Sequence, residues 1–129
     1  MIRPASRFTL DSSGAENTAR STLIADGRAL GRVRGSHIDA QFAVEGAHVV
    51  FVSFDDMFSA ILTIYFVDAD GRLRDEVKLG HETEQGLISD IRVEGDRIRF
   101  AFPMNEVRVL RIARESSLLG LRQRWLHLE

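Results

Sequence analysis

Apolar and polar side chains alternate along most of this chain, and the alternation is clearest over residues 60–102. Successive residues of a strand face opposite sides, so this pattern predicts β structure. Two consecutive hairpins account for it. The first runs through residues 60–67, a turn at Asp68-Ala69-Asp70-Gly71, and residues 73–79; the second through 87–93, a turn at Glu94-Gly95-Asp96, and 97–102. In the last strand Ile98, Phe100 and Phe102 share one face and Arg97 and Arg99 the other. Leu73, Val77 and Leu79 are expected on one face, opposite Arg74, Glu76 and Lys78. Residues 61–67 differ, because Leu62, Ile64 and Phe66 make one face apolar and Ile61, Tyr65 and Val67 the other. Such a strand lies in a sheet covered on both sides or pairs with a partner molecule. Monomers rarely expose large apolar patches, so the internal position is expected.

The same reading extends outward. Arg7 to Leu10 is a short strand before a polar, turn-rich loop. Ser21 to Ala25 and Arg28 to Arg34 flank Asp26-Gly27, a strong hairpin signal because glycine accepts positive φ. Ile38, Ala40, Phe42 and Val44 alternate with His37, Asp39 and Gln41, and a tight turn at Glu45-Gly46-Ala47 leads into 48–54, again apolar on both faces. Residues 55–59 fit one helical turn or a loop folded over a core edge. Residues 106–115 alternate, then slip phase after Val109, which fits a bulged strand better than a short helix. Residues 118–128 close the chain as a further strand. The expected architecture is all-β: one domain over residues 1–129, partly irregular over 1–20, with about nine to eleven antiparallel strands in meander order. It is a barrel-like closed sheet or a two-sheet sandwich, and the short connections favour the barrel. Val44-Glu45-Gly46 and Val93-Glu94-Gly95 echo one another, but the chain is too short to close a propeller, and a meander reuses the same turn chemistry.

Composition narrows the chemistry. Hydrophobic residues make up 44% and charged ones 28%, a globular balance. The absence of cysteine excludes disulfides, thiolate metal sites and a cysteine nucleophile. The basic start lacks the apolar run of a signal peptide, and no stretch is long enough for a membrane helix, so a cytoplasmic protein that does not engage membranes is expected. The net charge of −2 hides an uneven distribution. Residues 1–38 hold six arginines against three acids, residues 39–96 four bases against thirteen acids, and residues 97–129 seven arginines against three acids.

Motifs for catalysis are missing. Asp68-x-Asp70-Gly71 departs from a calcium loop, with Arg72 and Leu73 at positions that need an oxygen ligand and a glycine. Gly27, Gly31 and Gly35 match neither a dinucleotide fingerprint nor a phosphate loop. His37 and Asp39, two apart on one strand, could face a common ligand; a hydrolase or isomerase built on them is the weakest reading. No cofactor or metal is expected. The C-terminal arginines, Arg97, Arg99, Arg108, Arg111, Arg114, Arg122 and Arg124, form a basic footprint, but without interleaved aromatics nucleic acid is not favoured. A second reading is a carrier whose barrel encloses an apolar cavity lined by Phe42, Phe51, Tyr65, Phe100 and Trp125.

The expectation that fits best is a non-catalytic protein-binding module that captures a basic partner through an acidic surface. Its candidate residues are Asp55, Asp56, Asp68, Asp70, Asp75, Glu76, Glu82, Glu84 and Asp90. In size and charge, though in no motif, the chain is similar to bacterial toxin-neutralising immunity proteins, which act by occlusion. A homo-oligomer is compatible with the same features.

Overall fold

The computed structural model describes residues 1–11, 20–54, 60–81, 87–116 and 123–129, with backbone alone at 60 and 81. Among them are twelve strands: β1 (Ile2–Pro4), β2 (Phe8–Asp11), β3 (Arg20–Ala25), β4 (Arg28–Arg34), β5 (His37–Val44), β6 (Ala47–Ser53), β7 (Ala60–Val67), β8 (Leu73–His81), β9 (Ser89–Glu94), β10 (Arg97–Ala101), β11 (Val107–Ser116) and β12 (Gln123–Leu128). The described residues contain no helix, and hence none long and apolar enough to cross a membrane. The all-β expectation holds, and residues 107–116 are strand. The helical turn considered for 55–59 lies outside the described residues.

Three antiparallel sheets form, in the orders β1-β5-β6-β7-β8, β12-β11-β10-β9 and β2-β3-β4. They do not close into a barrel, so the preference for a barrel is corrected to an open, layered sandwich. The reason lies in β6 and β7. Val49, Phe51, Leu62, Ile64 and Phe66 pack with Ile98, Phe100, Phe102, Leu110 and Leu126 of the four-stranded sheet side. From the other face of the same strands, Val50, Val52, Tyr65 and Val67 pack with Phe8, Leu23, Ala25 and Val33 of the three-stranded sheet. The five-stranded sheet is thus the middle layer. Two apolar faces need two covers, and only a third layer supplies both.

Hairpin turns set the register. Asp26 and Gly27 have φ of 54° and 76°, and Glu45 and Gly46 have 49° and 87°. Paired positive φ values mark the turn type whose twist matches the flanking strands. Register shifts then move two residues off their expected faces. One lies between Phe66 and Val67 on β7, where Val67 pairs with Leu73. It sends Leu73 to the three-stranded side while Val77 and Leu79 stay on the other. A second, between Ile38 and Ala40, separates Ile38 from Ala40 and Phe42 in the same way. Simple alternation cannot anticipate either, because one extra residue inverts every position beyond it.

Two polar side chains tie the layers together. Gln41 Oε1 accepts hydrogen bonds from the amides of Arg7 and Phe8, both at 2.8 Å, and its Nε2 donates to the Phe8 carbonyl at 3.0 Å. Asp75 Oδ2 accepts from the amides of Trp125 (3.0 Å) and Leu126 (3.1 Å) and from Arg124 Nε (3.2 Å). The first side chain anchors β2 to β5, the second β12 to β8.

Candidate functional site

Five of the nine acidic candidates fall among the described residues, two of them engaged within the fold and three exposed. Asp55, Asp56, Glu82 and Glu84 lie outside the described residues. Asp68 builds the β7–β8 turn: its Oδ1 accepts from the amides of Asp70 and Arg72, both at 2.9 Å, and its Oδ2 from Arg74 Nε at 2.7 Å. Desolvation acts to raise its carboxyl pKa, but the Arg74 and amide hydrogen bonds together outweigh it and hold the group below the usual carboxylate range. Asp75 is 7% exposed and engaged with β12. There too desolvation is outweighed, by the amides of Leu126, Trp125 and Glu76 and by Arg124. Asp70, Glu76 and Asp90 are exposed. Asp90 sits at φ 52° beside the register shift of β9 against β10. It lies on the edge strand opposite β12, three strand spacings or about 14 Å across the sheet.

Most other described acids have a cationic partner. Asp26 meets Arg7 at 2.9 Å, Asp96 meets Arg97 at 2.8 Å, Glu94 meets Arg99 at 3.8 Å, and Glu115 meets Arg111 at 3.0 Å. Of the C-terminal arginines, Arg122 lies outside the described residues. Arg97 and Arg111 share Glu129, Arg108 takes Glu106, Arg114 bonds Gln123, and Arg124 takes Asp75. The charge blocks of the sequence are interleaved by the fold.

His37 and Asp39 do meet, with Nε2 to Oδ1 at 3.7 Å, beside the β5 register shift. His37 is 57% exposed and Asp39 12%. Burial pushes the Asp39 carboxyl above its usual range, against the lowering effects of the Ser53 hydrogen bond and of His37. Its Oδ2 is buried without a partner. A base needs an orienting group and a nucleophile in line. Here the carboxylate stands between the serine and the histidine, so neither the histidine nor the serine is activated by the other. His127 Nε2 lies 2.8 Å from the Ala113 carbonyl, and His48 packs edge-on to Phe8 with ring centroids 5.0 Å apart. The His81 side chain is outside the described residues. Among the described residues no three His, Cys, Asp or Glu side chains converge as metal ligands.

The aromatic candidates for a carrier are divided between layers. Phe51 meets Phe42 and Phe100 edge-to-face, with centroids 6.0 and 5.3 Å apart, and Trp125 stacks on Phe66 at 5.3 Å. Tyr65 belongs to the opposite cluster. These rings fill the sandwich.

A cleft that sequence reasoning missed opens where β3, β4, β7, β8 and the start of β12 approach one another. It holds about 360 Å³ and is lined by Arg20, Arg32, Tyr65, Leu73, Arg74, Asp75, Glu76 and Gln123. Arg20 and Arg34 are register partners, as are Thr22 and Arg32. The sequence signal is the arginines at 20, 32 and 34; what brings them to Tyr65 and β8 is tertiary. Comparison with protein-family models, with curated proteins and with solved structures finds no match to this chain.

Proposed function

We propose that the protein is a non-catalytic binding module that captures a basic protein partner through exposed carboxylates, acting by occlusion as immunity-type proteins do. The observation that carries this reading is a set of three exposed carboxylates outside any ion pair of the described residues. Asp70, Glu76 and Asp90 stand exposed with no ion pair among the described residues, while the carboxylates around them are nearly all matched to arginines. Both inter-sheet spaces are occupied by side chains, which favours a role for the exterior over enclosure of a ligand. Exposed charges of one sign speed association with a partner of the other, and salt screens them.

The test is capture of partners from a native-host extract on the immobilised protein at low and high salt, followed by association kinetics with the captured protein. The expected result is a basic partner whose association slows with salt and slows further when Asp70→Asn and Glu76→Gln are combined. An association rate indifferent to salt and to both substitutions overturns the proposal.

A further inference from the structure

We propose that the cleft between β4 and β8 is a binding site for a small oxyanion, a carboxylate or a phosphate, held by the guanidinium groups of Arg20 and Arg32 and by the hydroxyl of Tyr65. This site shares Glu76 with the partner-binding reading but does not rest on it.

The first observation concerns the hydroxyl. Tyr65 is 4% exposed, and its oxygen accepts a hydrogen bond from the Arg34 amide at 2.7 Å. Its own proton has no acceptor among the described residues. The hydroxyl uses only its acceptor role, so its donor, lining the cleft, is available to an acceptor brought by a ligand. Burial raises the phenol pKa, and of the charges nearby Glu76 adds to this while Arg20 and Arg34 act against it. The group remains protonated, a donor, at neutral pH.

The second observation concerns the arginines. Among the described residues neither Arg20 nor Arg32 has a carboxylate partner, whereas Arg74 and Arg124 on the β8 and β12 side do. Arg74, also in the lining, is held by Asp68 at 2.7 Å. Arg20 faces Arg34 directly across the β3–β4 ladder. Like charges in register destabilise a strand pair, and an anion bound at Arg20 relieves part of the repulsion. A planar guanidinium offers two parallel donors that match the oxygens of a carboxylate or phosphate.

The backbone adds to this. Arg34 directs its amide away from β3 to Tyr65, and by the alternation of an antiparallel ladder Arg32 directs its amide the same way. The edge of β4 therefore contributes to the positive side of the cleft. Two carboxylates line the opposite side. Asp75 is occupied by the amides of Glu76, Trp125 and Leu126 and by Arg124. Glu76 is exposed and opposes an anion. The volume, about 360 Å³, accommodates an oxyanion with an organic body, beside the apolar wall of Leu73.

The test is titration of the full chain with inorganic phosphate and with succinate, followed by calorimetry and by the NMR signals of the arginine Nε–H groups. Chloride at matched ionic strength is the control. The expected result is saturable binding that perturbs Arg20 and Arg32 and is absent with chloride. Arg20→Gln and Arg32→Gln each weaken it by about tenfold or more, the loss of one charge-assisted bond. Both side chains are exposed, so the variants fold, which thermal unfolding checks. Glu76→Gln tightens binding several-fold, whereas the same change weakens capture of a basic partner; opposite signs keep the two proposals apart. A short peptide with a free C-terminal carboxylate, compared with its amide, shows whether the anion comes from a chain end or from a free small molecule, and either outcome supports the site. Binding unchanged by both arginine substitutions, or reproduced by chloride, overturns it.

Discussion

Replacing Asp75 by Asn tests how the closing strand is held. The carboxylate is 7% exposed and takes four donors: the Glu76 amide on Oδ1, and on Oδ2 the amides of Trp125 and Leu126 with Arg124 Nε. Asparagine keeps the shape but offers one oxygen. Whichever way the amide turns, an NH₂ group meets backbone N–H groups. Arg124 is 37% exposed, so its ion pair adds little. The amides decide the magnitude. A hydrogen bond to a charged acceptor contributes about 1.5–3 kcal/mol, and a buried donor left unmatched costs a similar amount. Partial rescue by water and by the remaining oxygen leaves a loss of about 3 kcal/mol. With an unfolding entropy of about 2.1 cal/mol/K per residue over 129 residues, that lowers Tm by about 11 °C. Thermal unfolding by circular dichroism measures the total, and the fluorescence of Trp125, the single tryptophan, reports locally because its ring stacks on Phe66. Acid titration adds a signature. The folded-state pKa of Asp75 lies below the unfolded value of about 3.9, so its stabilisation is complete above that pH and is lost as pH falls through the folded value. Wild type therefore loses its advantage over the variant below about pH 4. A Tm within 2 °C or so of wild type at pH 7, on this entropy scale, with unchanged Trp125 emission, refutes the reasoning and assigns β12 to apolar packing alone.

Three further outcomes follow from the same structure. Asp39→Asn raises Tm at pH 7: burial lifts the folded-state pKa above the unfolded one, so wild-type stability declines as pH rises through the carboxylate range, and the variant's gain shrinks towards pH 3; a gain that is constant with pH contradicts this. Gln41→Ala leaves Phe8 N–H and C=O unmatched, costs about 2–3 kcal/mol and deprotects the Phe8 amide in hydrogen exchange, while unchanged protection would show that β2 is held by Phe8 burial. Gly35→Ala places a Cβ 2.5 Å from Val52 Cγ1 and 2.8 Å from the Ser53 carbonyl at φ 125°, so urea unfolding registers a loss of about 2 kcal/mol or more; a neutral result means β4 and β6 separate freely at this point.

The sequence by itself determined the strands and most of their turns. The period-two alternation of Ile98, Phe100 and Phe102, and positive-φ pairs such as Asp26-Gly27, act over a few residues and are legible in any linear reading. The two apolar faces of 61–67 also announced a doubly covered strand, because burial on both sides leaves no polar face. Which sheets supply the covers was decided only by the tertiary structure, since layers are assembled from strands far apart in the chain. Register shifts at Ile38/Ala40 and Phe66/Val67 were equally hidden, and with them the side to which Leu73 points. Charge shows the same limit most plainly. An acidic middle and basic flanks were visible as blocks, but Arg124 meets Asp75, 49 residues away, and Arg97 meets Glu129. Coulomb interactions depend on distance in space, so pairing across strands broke up the blocks, and Asp70, Glu76 and Asp90, like Arg20, Arg32 and several other arginines, stand outside the ion pairs of the described residues. The cleft beside Tyr65 exists because β4, β7, β8 and β12 meet there, and no stretch of sequence contains it.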